Sequence, residues 1–403
     1  MNPIKAAYCR TQQFIFKIAI PILPYRSPEE MNSVREVPEY LKRRGLSNVL
    51  IVTDKAIHQH GIIEPLKHVL EKSNVGYTVF DGTVPNPTIQ NVEDARKLYI
   101  ANNCCAIIGF GGGSAMDCAK MVGARIARPN RSIQQLRGLF RILKRLPCTI
   151  AIPTTAGTGS ETTATALLTD GETKRKFTIN DLSLIPDAVV LDPAVTLSLP
   201  PHITAATGMD ALTHAVEAFI GRSTVKSTRA DALAAVTLIC NNLEKAYRNG
   251  SNIEARRNML RASFLAGRSF AKSYVGYCHA VAHTLGGKYN TPHGLANAVL
   301  LPYVLEAYGS CVYNKLKRLA IAAGIADEHS DPSVAAKDFI AMIRRLNADM
   351  NVPTTIRGIQ AGDIPALSAI AEREANPFYP VPKLMTRREL ERFYYDVMEA
   401  QTE

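Results

Sequence analysis

Four apolar stretches constrain this chain more than any other feature: NVLIVTD (48–54), GYTVF (76–80), CCAIIGFGGG (104–113) and TIAIPTT (149–155). Most run apolar without alternation, as strands buried on both faces of a parallel sheet do. Between them lie segments with helical spacing, over 37–44, 62–72 and 92–102. Further strands are expected at 174–181, as an edge strand, and at 187–193. The first of these helices is expected to begin at Pro28, Glu29 and Glu30 under a Ser27 cap, to run through 37–44 and to stop at Gly45. The basic run 130–146 reads as a solvated helix or a cofactor-side loop. Strand alternating with helix is the pattern of a doubly wound α/β domain, here spanning 28–199.

Two loops at expected strand ends carry candidate binding groups. GFGGGSAMDCAK (109–120) turns from a strand into a helix. Its glycines let backbone N–H groups approach a phosphate, and the helix N-terminus adds its dipole. Ser114 stands as N-cap or phosphate donor, and Asp117 is expected in the first helical turn. A tight turn needing positive φ would explain the glycines equally. PTTAGTGSETT (153–163) offers the hydroxyls of Thr154, Thr155, Thr158 and Ser160 to a ribose, pyrophosphate or nicotinamide amide. Open α/β sheets bind ligands beyond the carboxyl ends of their strands. Lys176 is placed to point toward the same ligand, and Asp54 closes the first strand.

From residue 200 the pattern changes from continuous apolar runs to apolar residues spaced three and four apart. A helical domain is expected over 200–403, with helices at 204–220, 228–248, 253–271, 276–289, 294–308, 311–323, 333–346, 365–374 and 387–400. Three of the nine histidines, His279, His283 and His293, fall within 274–301. His279 and His283 are four apart and share a helical face; so do Asp210 and His214 upstream. His293 follows Pro292 and opens the next helix. Asp210, His214, His279 and His293 are expected to close on one divalent metal, with His283 beside it. Three imidazoles and a carboxylate suit Fe²⁺ or Zn²⁺ and leave a position for substrate. No cysteine joins them, unlike a closed structural zinc site.

The balance of 47 Lys and Arg against 36 Asp and Glu gives +11, which suits an anionic ligand such as a dinucleotide. No basic run is interleaved with aromatics, so nucleic acid is not expected. The eight cysteines show no CxxC pairing, and a reduced, cytoplasmic setting follows. The apolar run 14–25 after Lys5 and Arg10 resembles a signal peptide, but Lys17, Pro21 and Pro24 interrupt it and it is too short to span a bilayer. Residues 1–27 are expected to form an amphipathic arm packed on the body or on a partner. No membrane span is expected elsewhere.

Taken together, GGGSAMDCAK, PTTAGTGSE, KFTI, IPDAVVLDP, ATGMDALTHAVEA, HAVAHTLGGKYNTPHGLANAVLLP and MTRREL resemble the iron-containing (group III) alcohol dehydrogenases. The resemblance covers nearly the whole chain. It implies a dehydroquinate-synthase-like fold, an α/β nucleotide-binding domain followed by an all-α metal-binding domain, and usually a homodimer or larger. By that resemblance the ligands are Asp210, His214, His279 and His293. The cofactor residues are Gly111, Gly112, Gly113, Ser114, Thr154, Thr155 and Thr158, with Asp54 and Asn86 matching the family's acidic residue and NP motif. Asp54 favours NAD over NADP, because a carboxylate accepts from ribose hydroxyls and repels a 2′-phosphate; a helix N-cap is the plainer role for it. The implied reaction is reversible hydride transfer between a small primary alcohol or diol and nicotinamide, the metal acting as Lewis acid and His283 carrying the proton or orienting a neighbour. A dehydroquinate-synthase-like lyase and a non-catalytic NAD- or metal-binding protein are the alternatives. Three departures bear on substrate choice: EEMNSVREV lacks the family's glycine-rich turn, Lys272 stands before the metal helix, and NPFYPVPK is unusual in its prolines.

Overall fold

The computed structural model describes residues 2–19, 25–171 and 176–399. They form two compact units. One holds Tyr25–Leu199 and Ser251–Leu260; the other holds Pro200–Gly250 and Arg261–Glu403 with the N-terminal helix.

The strands are β1 (Glu29–Met31), β2 (Asn48–Val52), β3 (Gly76–Phe80), β4 (Ala106–Gly111), β5 (Gly138–Leu139), β6 (Cys148–Pro153), β7 (Thr165–Thr169), β8 (Lys176–Asn180) and β9 (Ala188–Val190). Six form a parallel sheet in the order β1-β9-β6-β4-β2-β3. Its inner strands are as apolar as both-face burial requires: Val49, Leu50, Ile51 and Val52 are all fully buried. The helices of this unit are α2 (Val37–Arg43), α3 (Lys55–Gln59), α4 (Glu64–Lys72), α5 (Ile89–Ala101), α6 (Gly113–Ala127) and α7 (Ile133–Leu136), with α1 (Pro3–Ala19) preceding them in the chain. Two clusters of buried side chains form its core, one containing Leu50, Ile107 and Met121, the other Val49, Ile108 and Leu66.

Three expectations are corrected. Ser27 caps no helix: Glu29–Met31 is a strand paired with Ala188–Val190. The helical start lies six residues later, where Ser33 and Glu36 form a capping box, and Asp192 accepts from Ser33 Oγ and Val34 N. That carboxylate secures the EEMNSVREV turn without glycine. Second, β8 is central in a separate three-stranded sheet, β5-β8-β7, not an edge strand; residues 174–175 lie outside the described chain. Its antiparallel partner β7 went unread, because TALLT is short and follows a polar loop. Third, the run 130–146 is neither one helix nor one loop but the single turn of α7 and the two residues of β5.

The helical unit contains α8 (Pro201–Ile220), α9 (Lys226–Arg248), α10 (Ile253–Ser273), α11 (Tyr277–Tyr289), α12 (His293–Tyr308), α13 (Tyr313–Ala322), α14 (Pro332–Asp349), α15 (Ile364–Ala375) and α16 (Arg387–Val397). Among the described residues, these helices fall where the three-and-four spacing puts them. The first turns of α10 cluster with the other unit. The stretch His293–Ala322 is long and apolar enough to cross a bilayer by composition, which the sequence reading overlooked. Yet 61% of that window is buried in the protein. Its apolar side chains build this unit's core.

Candidate functional site

The candidate metal site begins with helical geometry. On α8, Asp210 and His214 stand one turn apart and are 2% and 4% exposed. α11 presents His279, 2% exposed, and α12 opens on His293 directly after Pro292. These residues come together: each offers a ligand atom, and all four atoms lie within 4.8 Å of one another. His279 Nε2 and His293 Nε2 stand 3.8 and 3.5 Å from Asp210 Oδ1. The ring of His214 stacks between Phe270, at 4.1 Å, and His279, at 4.5 Å. Asn297 Nδ2 donates to Asp210 Oδ1 at 2.7 Å, fixing the carboxylate's rotamer.

Sequence reasoning missed the residue that aims His279. Glu217 lies one turn beyond His214 on α8 and is fully enclosed. It accepts from Gly276 N (2.7 Å) and Cys278 N (2.9 Å), and its Oε2 is 2.7 Å from His279 Nδ1. A proton on Nδ1 satisfies that contact and leaves the lone pair on Nε2. Carboxylate–imidazole pairs of this kind orient metal-binding histidines. Its spacing from His214 was the available signal. The close approach requires glycine: a Cβ at Gly276 would fall 2.6 Å from Glu217 Oε1. Burial pushes Glu217 up to about 7, against the three N–H donors that pull it down.

The fit to a cation rests on one atom. His279 Nε2 is buried and has no hydrogen-bond partner. Leaving such an atom unsatisfied costs on the order of 1–3 kcal/mol. Burial, with His214, His293 and His283 adding to it, holds the His279 imidazole well below its usual pKa. A neutral imidazole with an unshared lone pair is a metal donor. His283 stands outside the four. Its ring stacks on His293 at 5.1 Å, and its Nδ1 lies 2.6 Å from Glu374 Oε1, which also accepts from Tyr379 OH at 2.8 Å. Burial alone would raise Glu374; His283 and Tyr379 outweigh it and hold the carboxyl below its usual range. Lys272, in the last turn of α10, is half-buried; burial lowers its pKa and Asp231 opposes.

The two candidate cofactor loops lie at the carboxyl ends of adjacent strands, β4 and β6. Gly111 has φ +154, a conformation only glycine takes readily. Gly112 is the N-cap of α6 and Gly113 its first residue. Thr155 and Thr158 pack against the Cα positions of Gly112 and Gly113, and Thr154 N bonds to Gly111 O. Ser114 Oγ accepts from the backbone N–H of Asn86, itself at φ +59. Asp54 caps α3 through Ile57 N, so the plainer role is real, and its Oδ2 also lies 3.8 Å from a Cβ placed on Gly111. Lys176 begins β8, where burial lowers its pKa.

Asp117 and Ser160 do different work. Asp117 lies in the second turn of α6, and its Oδ1 accepts from Ser160 Oγ and Oδ2 from Leu167 N. Lys120, 1% exposed, donates to Ser160 Oγ, Thr163 Oγ1 and the carbonyls of Thr163 and Thr165. The three side chains tie the second loop to α6 from within. Burial drives Lys120 down to about 8, with Asp117 and Glu161 opposing. Lys120→Ala is expected to cost about 3–5 kcal/mol, the range for removing one partner of a buried charged network. Thermal melts would show it; an unchanged transition would mean that the loop holds itself.

Glycine-rich loops at strand ends in one unit and a nitrogen-rich donor set in the other suit a metal-dependent nicotinamide oxidoreductase. Comparison with known proteins narrows this. A family model described as iron-containing alcohol dehydrogenase matches residues 28–193, and that of the family's C-terminal domain matches 204–398. The chain belongs to the iron-containing alcohol dehydrogenase family. It is 38% identical over 370 residues to a 1,3-propanediol dehydrogenase of Klebsiella pneumoniae, covering 90% of this chain and 94% of that one. Its structure resembles that of a 1,3-propanediol oxidoreductase with a TM-score of 0.89 and 35% identity, covering 93% and 99% of the two chains. A sulfoacetaldehyde reductase from Bifidobacterium kashiwanohense, solved with NAD⁺, matches at TM-score 0.83 and 26% identity over 94% and 99%. The dehydroquinate-synthase-like lyase is thereby the weaker reading, and the chain is an alcohol and aldehyde oxidoreductase.

Proposed function

We propose that the protein catalyses reversible oxidation of a small primary alcohol or diol to the aldehyde with NAD as hydride acceptor. Asp210, His214, His279 and His293 would hold Fe²⁺, or Zn²⁺ where that ion prevails. The observation that carries this reading is the unpartnered Nε2 of His279 among three further donor atoms. A bound divalent ion supplies a Lewis acid for the alcohol or carbonyl oxygen, and nicotinamide supplies the hydride carrier.

The chain's own residues do the rest. Glu217 fixes the His279 tautomer, and Asn297 fixes Asp210. Buried alanines of α8 and α11, among them Ala211, Ala280 and Ala282, exclude water from the ligands. His283 has Nδ1 committed to Glu374, which assigns proton exchange with the substrate hydroxyl to Nε2. The N–H groups of Gly111, Gly112 and Gly113 and the start of α6 receive pyrophosphate, helped by Ser114 and Thr158. Thr154, Thr155, Asn86 and Lys176 meet the nucleoside portions, and Asp117 and Ser160 keep the loop in shape. Asp54 reads the ribose. We also take the enzyme to be a cytoplasmic homodimer or larger; its eight cysteines are all free thiols.

The deciding experiment is a panel of alcohols, diols and aldehydes run with NAD on protein reconstituted separately with Fe²⁺ and Zn²⁺. Metal uptake without absorbance change at 340 nm across the panel would sink the reading. His283→Ala should lower turnover by about 10²-fold with metal content intact, the usual worth of a proton-transfer group; an unchanged rate would leave His283 a spacer. Asp54→Ser keeps an N-cap while removing the charge. It should raise the NADP-to-NAD efficiency ratio by about tenfold, the effect of roughly 1.4 kcal/mol of relieved repulsion. A constant ratio would show that Asp54 serves α3 alone.

A further inference from the structure

Helix α1 docks with the wrong face out. The edge that packs is largely polar: Arg10 donates to the carbonyls of Val381 and Pro382, Gln13 Nε2 to that of Tyr379, Lys5 pairs with Glu372 at 2.8 Å, and, of its large apolar side chains, Phe16 meets the body, edge-on to Tyr274 at 4.7 Å. Cys9 and Gln13 are its buried residues. Ile4, Tyr8, Ile15 and Ile18 recur at intervals of four, seven and three and form one stripe, with Phe14 at its margin. They are 80, 55, 54, 53 and 62% exposed in that order. Isolated exposed apolar residues are ordinary, but a full stripe along a docked helix marks a contact surface.

The charge around it is one-sided. The helix carries no acidic residue but three cations, Lys5, Arg10 and Lys17, of which Lys5 is paired with Glu372. On the body, Arg222 and Arg229 are exposed, and they stand close enough to Lys315 to depress its pKa after burial, with Lys17 adding to the effect. Arg10 is lowered by burial and by Arg222. Glu372 is the acidic group that engages this side of the helix. A second copy docking on the stripe by a two-fold axis would bring this basic group against itself. An anionic surface would relieve it.

We propose that α1 seats the enzyme on an anionic lipid surface, its apolar stripe entering the headgroup boundary while the surrounding cations meet the lipid charges. Both family models begin after this helix, at residues 28 and 204, so nothing in the shared chemistry calls for the stripe. The contact would hold the active enzyme beside a membrane without spanning it, where short apolar aldehydes partition.

The test is flotation of metal-loaded full-length protein with phosphatidylcholine vesicles, with and without phosphatidylglycerol. The protein should float with the anionic vesicles, remain below with the neutral ones, and be released by high salt. Ile15→Glu with Ile18→Glu should weaken vesicle binding by about tenfold or more while turnover in solution and the melting curve stay as they were. Phe14→Ser should reproduce part of the loss. Equal flotation with neutral vesicles, or none with anionic ones, overturns the proposal. So does a fall in sedimenting mass in the double variant without vesicle binding in the parent, which would assign the stripe to a second copy. Because turnover is read separately, failure here leaves the dehydrogenase reading intact.

Discussion

Replacing His279 with alanine is expected to empty the metal site and to lower turnover by on the order of a thousandfold or more, since one of four protein donors disappears. The position has no substitute nearby. His283 sits one turn along α11, but its Nδ1 is held by Glu374 and its ring stacks on His293 outside the cluster. The substitution would also remove the proton donor that Glu217 Oε2 faces at 2.7 Å. Metal analysis and turnover should therefore fall together, and added Fe²⁺ or Zn²⁺ should restore neither. A variant with full metal stoichiometry and full activity would falsify the ligand assignment.

Glu217→Ala is expected to have the largest effect on stability. The carboxylate receives two backbone N–H groups and stands against one imidazole, all buried. Truncation strands these donors without water to replace the lost acceptor. A cost of about 3–5 kcal/mol is expected, together with a 10- to 100-fold loss of metal affinity from a mis-aimed His279. Denaturant midpoints give the first quantity and metal titration the second. If both match the parent, the hydrogen bonds to Glu217 are incidental. Glu217→Gln should fall between, because an amide keeps one acceptor and turns a second donor toward an N–H.

Much of this was legible in the sequence, for definite physical reasons. That Asp210 and His214 share a side could be read because α-helical geometry puts residues four apart on one face, and the expected meeting with His279 and His293 is the arrangement the structure shows, with all four donor atoms within 4.8 Å of one another. Buried parallel strands could be read because both faces are covered and no polar alternation interrupts them. What escaped depended on partners distant in the chain. Glu217 looks like any glutamate in an alanine-rich helix until Gly276 and Cys278 arrive from 59 and 61 residues away. Lys120 reads as a solvated lysine after GGGSAMDCA, yet Ser160 and Thr163 enclose it from 40 and 43 residues downstream. The helical start expected at 28–30 failed for the converse reason, although the helix does form over Val37–Arg43. Local capping chemistry favoured that start, but pairing with Ala188–Val190 won. The orientation of α1 was invisible too, because an amphipathic pattern says that a helix has two faces and not which one is covered.

All four candidate donor side chains come from one unit, and the last of them, His293, is encoded after the parallel strands and glycine-rich loops of the other. Synthesis on the ribosome therefore finishes the α/β sheet and its loops first. The donor set is complete only once α12 has emerged, so a nascent or truncated product ending short of it would carry both glycine-containing loops and three of the four donors.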